Sequence, residues 1–232
     1  MNEYYYAIHK QKIDKPKNEV SIVESKYNFQ TPVCLFVESN LEKEYNSGSD
    51  FVVTDENNVT FFEGSMKSSS SKIELFDSEG VRYIALEENT YGEGKLFNET
   101  GRKVVGTLEH KNSTVADKYN ISFHNLAIGR EEVLSMNCDY CYRCCGIFQG
   151  REKEGAPMIC KIEQIKTEKS SRKLKYKIEI SEGIDNLFMI ILAMRLGLLK
   201  FNEKRRRLQN KDMNEMNDMY SMNEIDEMDD LI

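Results

Sequence analysis

An unbroken apolar segment restricts the folds open to this sequence more than any other feature. Every residue from Leu187 to Met194 is apolar, and leucines continue the run after Arg195. Leucine, methionine and alanine favour helix, no proline intervenes, and Asp185 is a suitable N-terminal cap, so we predict a helix over residues 184–199. Because a helix that is apolar on all sides has to be surrounded by lipid or by protein, other residues must supply that cover.

Lipid is the less favoured of these two surroundings. The apolar segment is shorter than the roughly 20 residues that span a bilayer, and Arg195 interrupts it. We therefore predict no stable transmembrane span. The first residues, MNEYYYAIHKQK, lack the apolar run of a signal peptide, so we expect a cytoplasmic protein.

The residues before the helix form short segments of β character separated by turn residues. Three hairpins share one design, in which the turn opens with Asp or Asn and closes near a Gly or Asn: Asp55–Asn58, Asp77–Gly80 and Asn98–Arg102. The predicted strands are Val20–Glu24, Val33–Glu38, Phe51–Thr54, Val59–Glu63, Lys72–Phe76, Val81–Leu86, Lys95–Phe97, Lys103–Glu109, Lys118–His124, Glu131–Met136, Tyr140–Phe148, Met158–Ile165 and Leu174–Ile180.

The last of these segments shows the alternation of a half-buried antiparallel strand. Its apolar side chains share one face and its charges share the other. About a dozen such strands could close around the helix and cover every side of it. We predict a mainly β protein: a barrel of about twelve antiparallel strands around a hydrophobic C-terminal helix, with hardly any other helix.

Charge divides the chain into a balanced body and an acidic tail. Residues 208–232 contain eight acids and one lysine, which equals the whole net charge of −7, so residues 1–207 sum to zero. A balanced body argues against a nucleic-acid partner. We predict an N-terminal segment (1–18), the barrel (19–201) and a basic, then acidic tail (202–232). The acidic part is rich in Met and Asn and is expected to be disordered, with room for a short motif that binds a protein partner.

Several segments resemble the LURP-one-related family. Phe51–Gly64 is similar to its opening hairpin, Ile73–Leu86 to the next hairpin, and Met158–Ile162 to its penultimate strand. Tyr176–Asp185, followed by the apolar helix, is similar to its ending. The resemblance implies the tubby-like fold, a twelve-stranded barrel around a C-terminal helix, which also occurs in tubby proteins and phospholipid scramblases.

Two functions follow from that resemblance. The first is a non-enzymatic scaffold that binds proteins or anionic lipids such as phosphoinositides, and is peripheral at membranes. The alternative is a scramblase-like membrane protein whose cysteines are acylated. Lys173–Ile180 is rich in lysine where calcium-dependent scramblases carry acids, so calcium triggering is not expected.

Catalytic motifs are missing from the sequence. The three histidines, His9, His110 and His124, have no motif partner at a meaningful spacing, and no phosphate-binding glycine loop or nucleophile elbow occurs. We predict a protein that is not an enzyme and has no cofactor.

Four of the six cysteines lie within eight residues: Cys138, Cys141, Cys144 and Cys145. On one extended strand Cys138 and Cys144 would share one side, while Cys141 and Cys145 would share the other. Such alternation prevents the four from forming a tetrahedral zinc site by themselves, and zinc would need Cys34, Cys160 or a histidine from another strand. We therefore predict no bound metal. Reduced structural thiols, acylation sites and a redox role all stay open.

A basic segment follows the helix and contains Lys200, Lys204, Arg205, Arg206 and Arg207. Cations at a helix C-terminus offset the negative end of the helix dipole, which is a purely structural explanation. Contact with an anionic membrane is the functional explanation, and a nuclear-import signal is a third. These five residues are the predicted lipid-binding site.

Overall fold

Twelve antiparallel strands follow one another around a closed barrel, and β1 completes it by pairing with both β2 and β12. The computed structural model describes residues 3–23, 25–40, 49–67, 72–76, 79–89, 92–165, 173–203, 206–207 and 213. The strands are β1 (Val33–Asn40), β2 (Ser49–Thr54), β3 (Thr60–Lys67), β4 (Lys72–Phe76), β5 (Arg82–Glu88), β6 (Gly94–Phe97), β7 (Val104–Lys111), β8 (Asp117–Asn125), β9 (Arg130–Cys138), β10 (Cys144–Phe148), β11 (Met158–Ile165) and β12 (Lys173–Ile180). The predicted mainly β barrel with a C-terminal helix is confirmed.

The predicted apolar helix, α2, covers residues 186–203, and the apolar part of this helix lies inside the barrel. Phe188 packs edge-on against Phe123 of β8, with ring centroids 5.4 Å apart. On another side, Gly197 faces Leu174 and Tyr176 of β12. The side chains from Leu187 to Ala193 have no exposed surface, so protein surrounds the helix on all sides.

The start of α2 is fixed by the Gly-x-Asp sequence. Gly183 adopts φ 71°, a left-handed conformation that suits glycine. The Asp185 carboxylate accepts hydrogen bonds from the backbone N–H groups of Phe188 (3.1 Å), Ile22 (3.0 Å) and Val23 (2.9 Å). Asp185 therefore caps the helix, as predicted, and also ties the N-terminal segment to it.

We expect Asp185→Ala to lower the free energy of unfolding by about 3 kcal/mol, since it removes a cap and leaves buried N–H groups without acceptors. Chemical denaturation measures this difference. Asp55→Ala is the matched control, because Asp55 also accepts two backbone N–H groups but lies in an exposed turn. An equal loss in both variants would contradict this role for Asp185.

Two of the three hairpin turns use the predicted residues, while Asp77 and Ser78 of the third, Asp77–Gly80, lie outside the described residues. Asp55 accepts hydrogen bonds from the N–H groups of Asn57 and Val59, at 2.9 and 2.8 Å, and Asn58 has φ 61°. Asn98 accepts from the Lys103 N–H at 3.2 Å, and Gly101 has φ 70°. Local side-chain chemistry therefore determines where these strands end.

Two predicted strands are wrong, and one α-helix and two short 3₁₀ helices, Ser25–Tyr27 and Glu152–Glu154, were missed. In the predicted strand Val20–Glu24, the described residues 20–23 do not form a strand, and Glu24 lies outside the described residues. Val20 makes only an isolated bridge to Ile184, where the segment passes the start of α2. Tyr140–Phe148 was predicted as one strand, but β10 begins at Cys144. The missed helix, α1 (Glu3–Lys10), belongs to the predicted N-terminal segment.

Helix α1 covers the outside of the barrel at β10. Its buried side chains Tyr4 and Ile8 are four residues apart and so share one face. They form a small apolar cluster with barrel residues Cys144, Phe148 and Met158. The three consecutive tyrosines of α1 favour strand rather than helix, so tertiary packing outweighs local propensity here.

The chain divides into two units, Met1–Leu198 and Leu199–Ile232. Among the described residues, no helix is both long and apolar enough to cross a membrane.

Candidate functional site

The predicted lipid-binding residues are only partly within the described residues. Lys200 is half-buried on α2, and Arg206 and Arg207 are exposed in a helical conformation. The Arg207 guanidinium forms an ion pair with the Glu203 carboxylate one turn earlier. Lys204 and Arg205 lie outside the described residues, as does the acidic tail apart from Met213. The exposed cations that can be assigned to this segment are therefore Arg206 and Arg207.

The cysteine segment leaves the sheet in a tight turn between β9 and β10. The fully buried Asp139 carboxylate holds this turn, because it accepts hydrogen bonds from the backbone N–H groups of Arg143 (2.6 Å) and Cys144 (2.8 Å). Tyr142 adopts φ 51°, which a continuous strand does not allow. This turn is the reason that the predicted strand Tyr140–Phe148 starts four residues late.

The turn reverses the predicted arrangement of the cysteines. Cys138 on β9 lies directly opposite Cys145 on β10, and their sulfur atoms are 3.1 Å apart. Cys144 lies on the other side of the sheet, in the apolar cluster beneath α1. The prediction that Cys138 shares a side with Cys144 is wrong, because it assumed one uninterrupted strand.

The hairpin also restricts the acylation hypothesis, which stays a prediction. Cys138, Cys144 and Cys145 have no exposed surface, and burial raises the pKa of Cys144 and Cys145 above the usual thiol value. Cys141 is the half-buried member of the four, at the tip of the turn. Acylation of the folded protein would therefore involve Cys141.

Metal binding gives a prediction of its own. Among the described residues, no three His, Cys, Asp or Glu side chains are grouped to hold a metal ion. We expect elemental analysis of the purified protein to find no stoichiometric zinc, and chelation to leave its Tm unchanged. One tightly held zinc per chain, lost in Cys141→Ser, would contradict this expectation.

A buried polar network, which sequence reasoning missed, lies beside this hairpin. The Arg195 guanidinium on α2 is fully buried, and its Nε donates to Oε1 of Glu88 on β5 at 2.5 Å. Its central carbon lies 3.7 Å from the ring centroid of Tyr119 on β8. Burial alone would lower the pKa of Arg195, but the Glu88 carboxylate outweighs that effect and raises it.

Asp117 connects this network to the cysteine hairpin. Its carboxylate accepts hydrogen bonds from the hydroxyls of Tyr119 and Tyr142, both at 2.7 Å, and lies 2.7 Å from Nε2 of His110. Burial, reinforced by Asp117, raises the pKa of both tyrosines, so they stay protonated and donate. The network connects α2, β7, β8 and the turn after β9. Its role is structural, because its hydrogen bonds hold these elements together.

Each histidine contacts one carboxylate. His9 lies 2.7 Å from Glu163, His110 2.7 Å from Asp117, and His124 3.0 Å from Glu131. They occupy α1, β7 and β8 respectively, so the fold does not bring them together into one site.

Comparison with known proteins agrees with this geometry. A family model described as LURP-one-related matches residues 34–197, well over half of the 232-residue chain. The matched region starts in β1 and ends in α2, so it includes the barrel and the buried part of the helix. A search of the curated proteins finds no match.

Proposed function

Because this chain belongs to the LURP-one-related family, we propose that it acts without catalysis, as a barrel that attaches to anionic lipids on the cytoplasmic side of membranes. The basic segment at the end of α2 and just beyond it makes the contact. The observation that carries this proposal is the pair of exposed arginines, Arg206 and Arg207, in that segment.

The filled interior of the barrel supports a function at the surface. Side chains of α2 from Leu187 to Ala193 occupy the interior and are completely buried. A ligand therefore meets the outside of the protein, where cations attract phosphate groups. Each cation close to an anionic membrane contributes about 1 kcal/mol, so this attachment is weak and sensitive to salt.

Co-sedimentation with vesicles that contain phosphoinositides tests the proposal. We expect binding at low salt that weakens at physiological salt, and no binding to vesicles of neutral lipid. The double variant Arg206→Gln/Arg207→Gln should bind roughly thirtyfold more weakly, from two contacts of about 1 kcal/mol each.

The matched control is Arg102→Gln/Arg130→Gln, which removes the same charge from exposed positions on the barrel. It should bind like the wild type. Lack of binding at low salt would contradict the lipid function, and equal weakening in both variants would show attraction by overall charge instead of by this segment.

The scramblase-like alternative requires Leu187–Leu199 to enter lipid. Burial of residues 187–198 of that segment favours the peripheral function, because leaving the barrel would expose the interior faces of the strands. Carbonate extraction of membranes distinguishes the two functions: a peripheral barrel is released, whereas a protein with an inserted helix stays in the pellet.

A further inference from the structure

The facing thiols of Cys138 and Cys145 form a site that the lipid function does not use. They are cross-strand partners next to the turn, and their sulfur atoms are 3.1 Å apart. Cys144 lies on the outer side beneath α1, so its neighbour Cys145 and the cross-strand partner Cys138 are on the inner side of the sheet, and neither has exposed surface. We propose that this pair is a site of reversible oxidative modification, at which a hydroperoxide converts the two thiols into one disulfide within the chain.

The strand geometry suits that bond. The Asp139 N–H donates to the Cys144 carbonyl at 3.0 Å, so residues 139 and 144 are the hydrogen-bonded pair that closes the ladder. Hydrogen-bonded and non-hydrogen-bonded pairs alternate, so Cys138 and Cys145 form a non-hydrogen-bonded pair, with α-carbons about 4.5 Å apart. Disulfides span α-carbon separations of about 4.4–6.8 Å, so only a side-chain adjustment has to bring the sulfurs to about 2.05 Å.

The other cysteines lack such a partner in the strand pairing. Cys144 projects from the opposite side of the sheet, beneath α1. Cys160 on β11 faces Ile147 and Ile180 in its two neighbouring strands. Cys34 on β1 faces Glu179. The fold therefore selects one pair among the six thiols.

The chemistry balances with one hydroperoxide for each disulfide. One sulfur attacks a peroxide oxygen, so that an S–O bond forms, the O–O bond breaks and the thiol proton leaves in a molecule of water (or alcohol). The second sulfur attacks the resulting sulfenic acid, an S–S bond forms, and the S–O bond breaks to release water. The two sulfurs together lose two electrons, which reduce the peroxide.

Burial makes the first step slow and the pairing makes the second step fast. Burial raises the pKa of Cys145, so little thiolate is present to attack the peroxide. Once one sulfur is oxidised, the other is already in contact with it. The reduced pair therefore survives brief exposure to peroxide. Sustained exposure to peroxide converts it to the disulfide, and the sulfenic acid does not accumulate.

Peptide mapping of the full chain tests this site. The native protein is treated with hydrogen peroxide, remaining thiols are alkylated in denaturant, and the chain is cut with trypsin without reduction. Cleavage after Arg130, Arg143 and Arg151 separates residues 131–143 from residues 144–151. We expect these two peptides to be joined, with fragmentation placing the bond between Cys138 and Cys145, and dithiothreitol to separate them.

Variants and an unfolded control complete the test. Cys138→Ser and Cys145→Ser should remove the joined species, while Cys160→Ser, which alters another buried thiol, should retain it. Peroxide treatment in urea should give a mixture of pairings. Three results would overturn the proposal. The first is that Cys138 and Cys145 are still fully alkylated when Cys141 has already been oxidised. The others are a disulfide that involves Cys141 or Cys144, and a mixture of disulfide pairings from the native protein. Fragmentation of the wild-type product decides the question even if a serine variant fails to fold.

Discussion

The Leu192→Asp variant is expected to lose several kilocalories per mole of folding free energy, a large fraction of the stability of a typical domain. Leu192 lies in the middle of α2 and has no exposed surface. An aspartate there would be an unpaired charge in an apolar core, and typical domains have only about 5–15 kcal/mol of stability in total. Circular dichroism and thermal unfolding would detect the loss.

The matched control is Val104→Asp, which introduces the same charge at a side chain that is 43% exposed at the start of β7. Its effect should remain within about 0.5 kcal/mol, as for most surface substitutions. A Leu192→Asp protein with the thermal stability of the wild type would show that this helix does not lie inside the barrel.

Removal of the partner of Arg195 has the second largest expected effect. Nη1 and Nη2 of Arg195 have no hydrogen-bond acceptor among the described residues, so the guanidinium depends on Glu88. Glu88→Gln leaves a buried cation without its counter-ion, and such a change costs about 3–5 kcal/mol. Chemical denaturation of the variant measures this loss.

A double variant separates the charge from the packing. Arg195→Met/Glu88→Gln removes both charges and keeps a long side chain on α2, so it should be more stable than Glu88→Gln alone. The opposite order of stability would contradict a paired charge at this position. Glu74→Gln is a useful comparison, because Glu74 also pairs with an arginine, Arg82, but on the outer surface of the barrel. We expect its cost to be nearer to 1 kcal/mol.

Local patterns predicted most of the barrel. Strand β12 alternates apolar and charged residues, and Leu174, Tyr176, Ile178 and Ile180 are buried as that alternation requires. The turn from Asp55 to Asn58 is specified within five residues, because the Asp55 carboxylate accepts hydrogen bonds from the N–H groups of Asn57 and Val59. Such features need no long-range information, which is why they can be recognised in a single sequence.

Features that depend on distant partners could not be predicted in this way. Arg195 looked like an interruption of the apolar helix, because its counter-ion Glu88 is 107 residues away in the chain. The cysteine segment looked like a strand, because the effect of Asp139 depends on its burial and on the backbone of Arg143 and Cys144. The only sequence signal for this turn was an aspartate at its start, the same signal that marked the first hairpin.

Hydrogen exchange of the full chain, with and without phosphoinositide vesicles, tests whether the barrel binds lipid through its basic segment while its helix stays inside. We expect the amides of residues 187–198 to exchange only through global unfolding, and to stay equally protected when vesicles are bound. Residues 200–207 should gain protection in the presence of vesicles. Faster exchange of residues 187–198 on vesicle binding would show that the helix leaves the barrel, and would contradict a peripheral barrel with a buried helix.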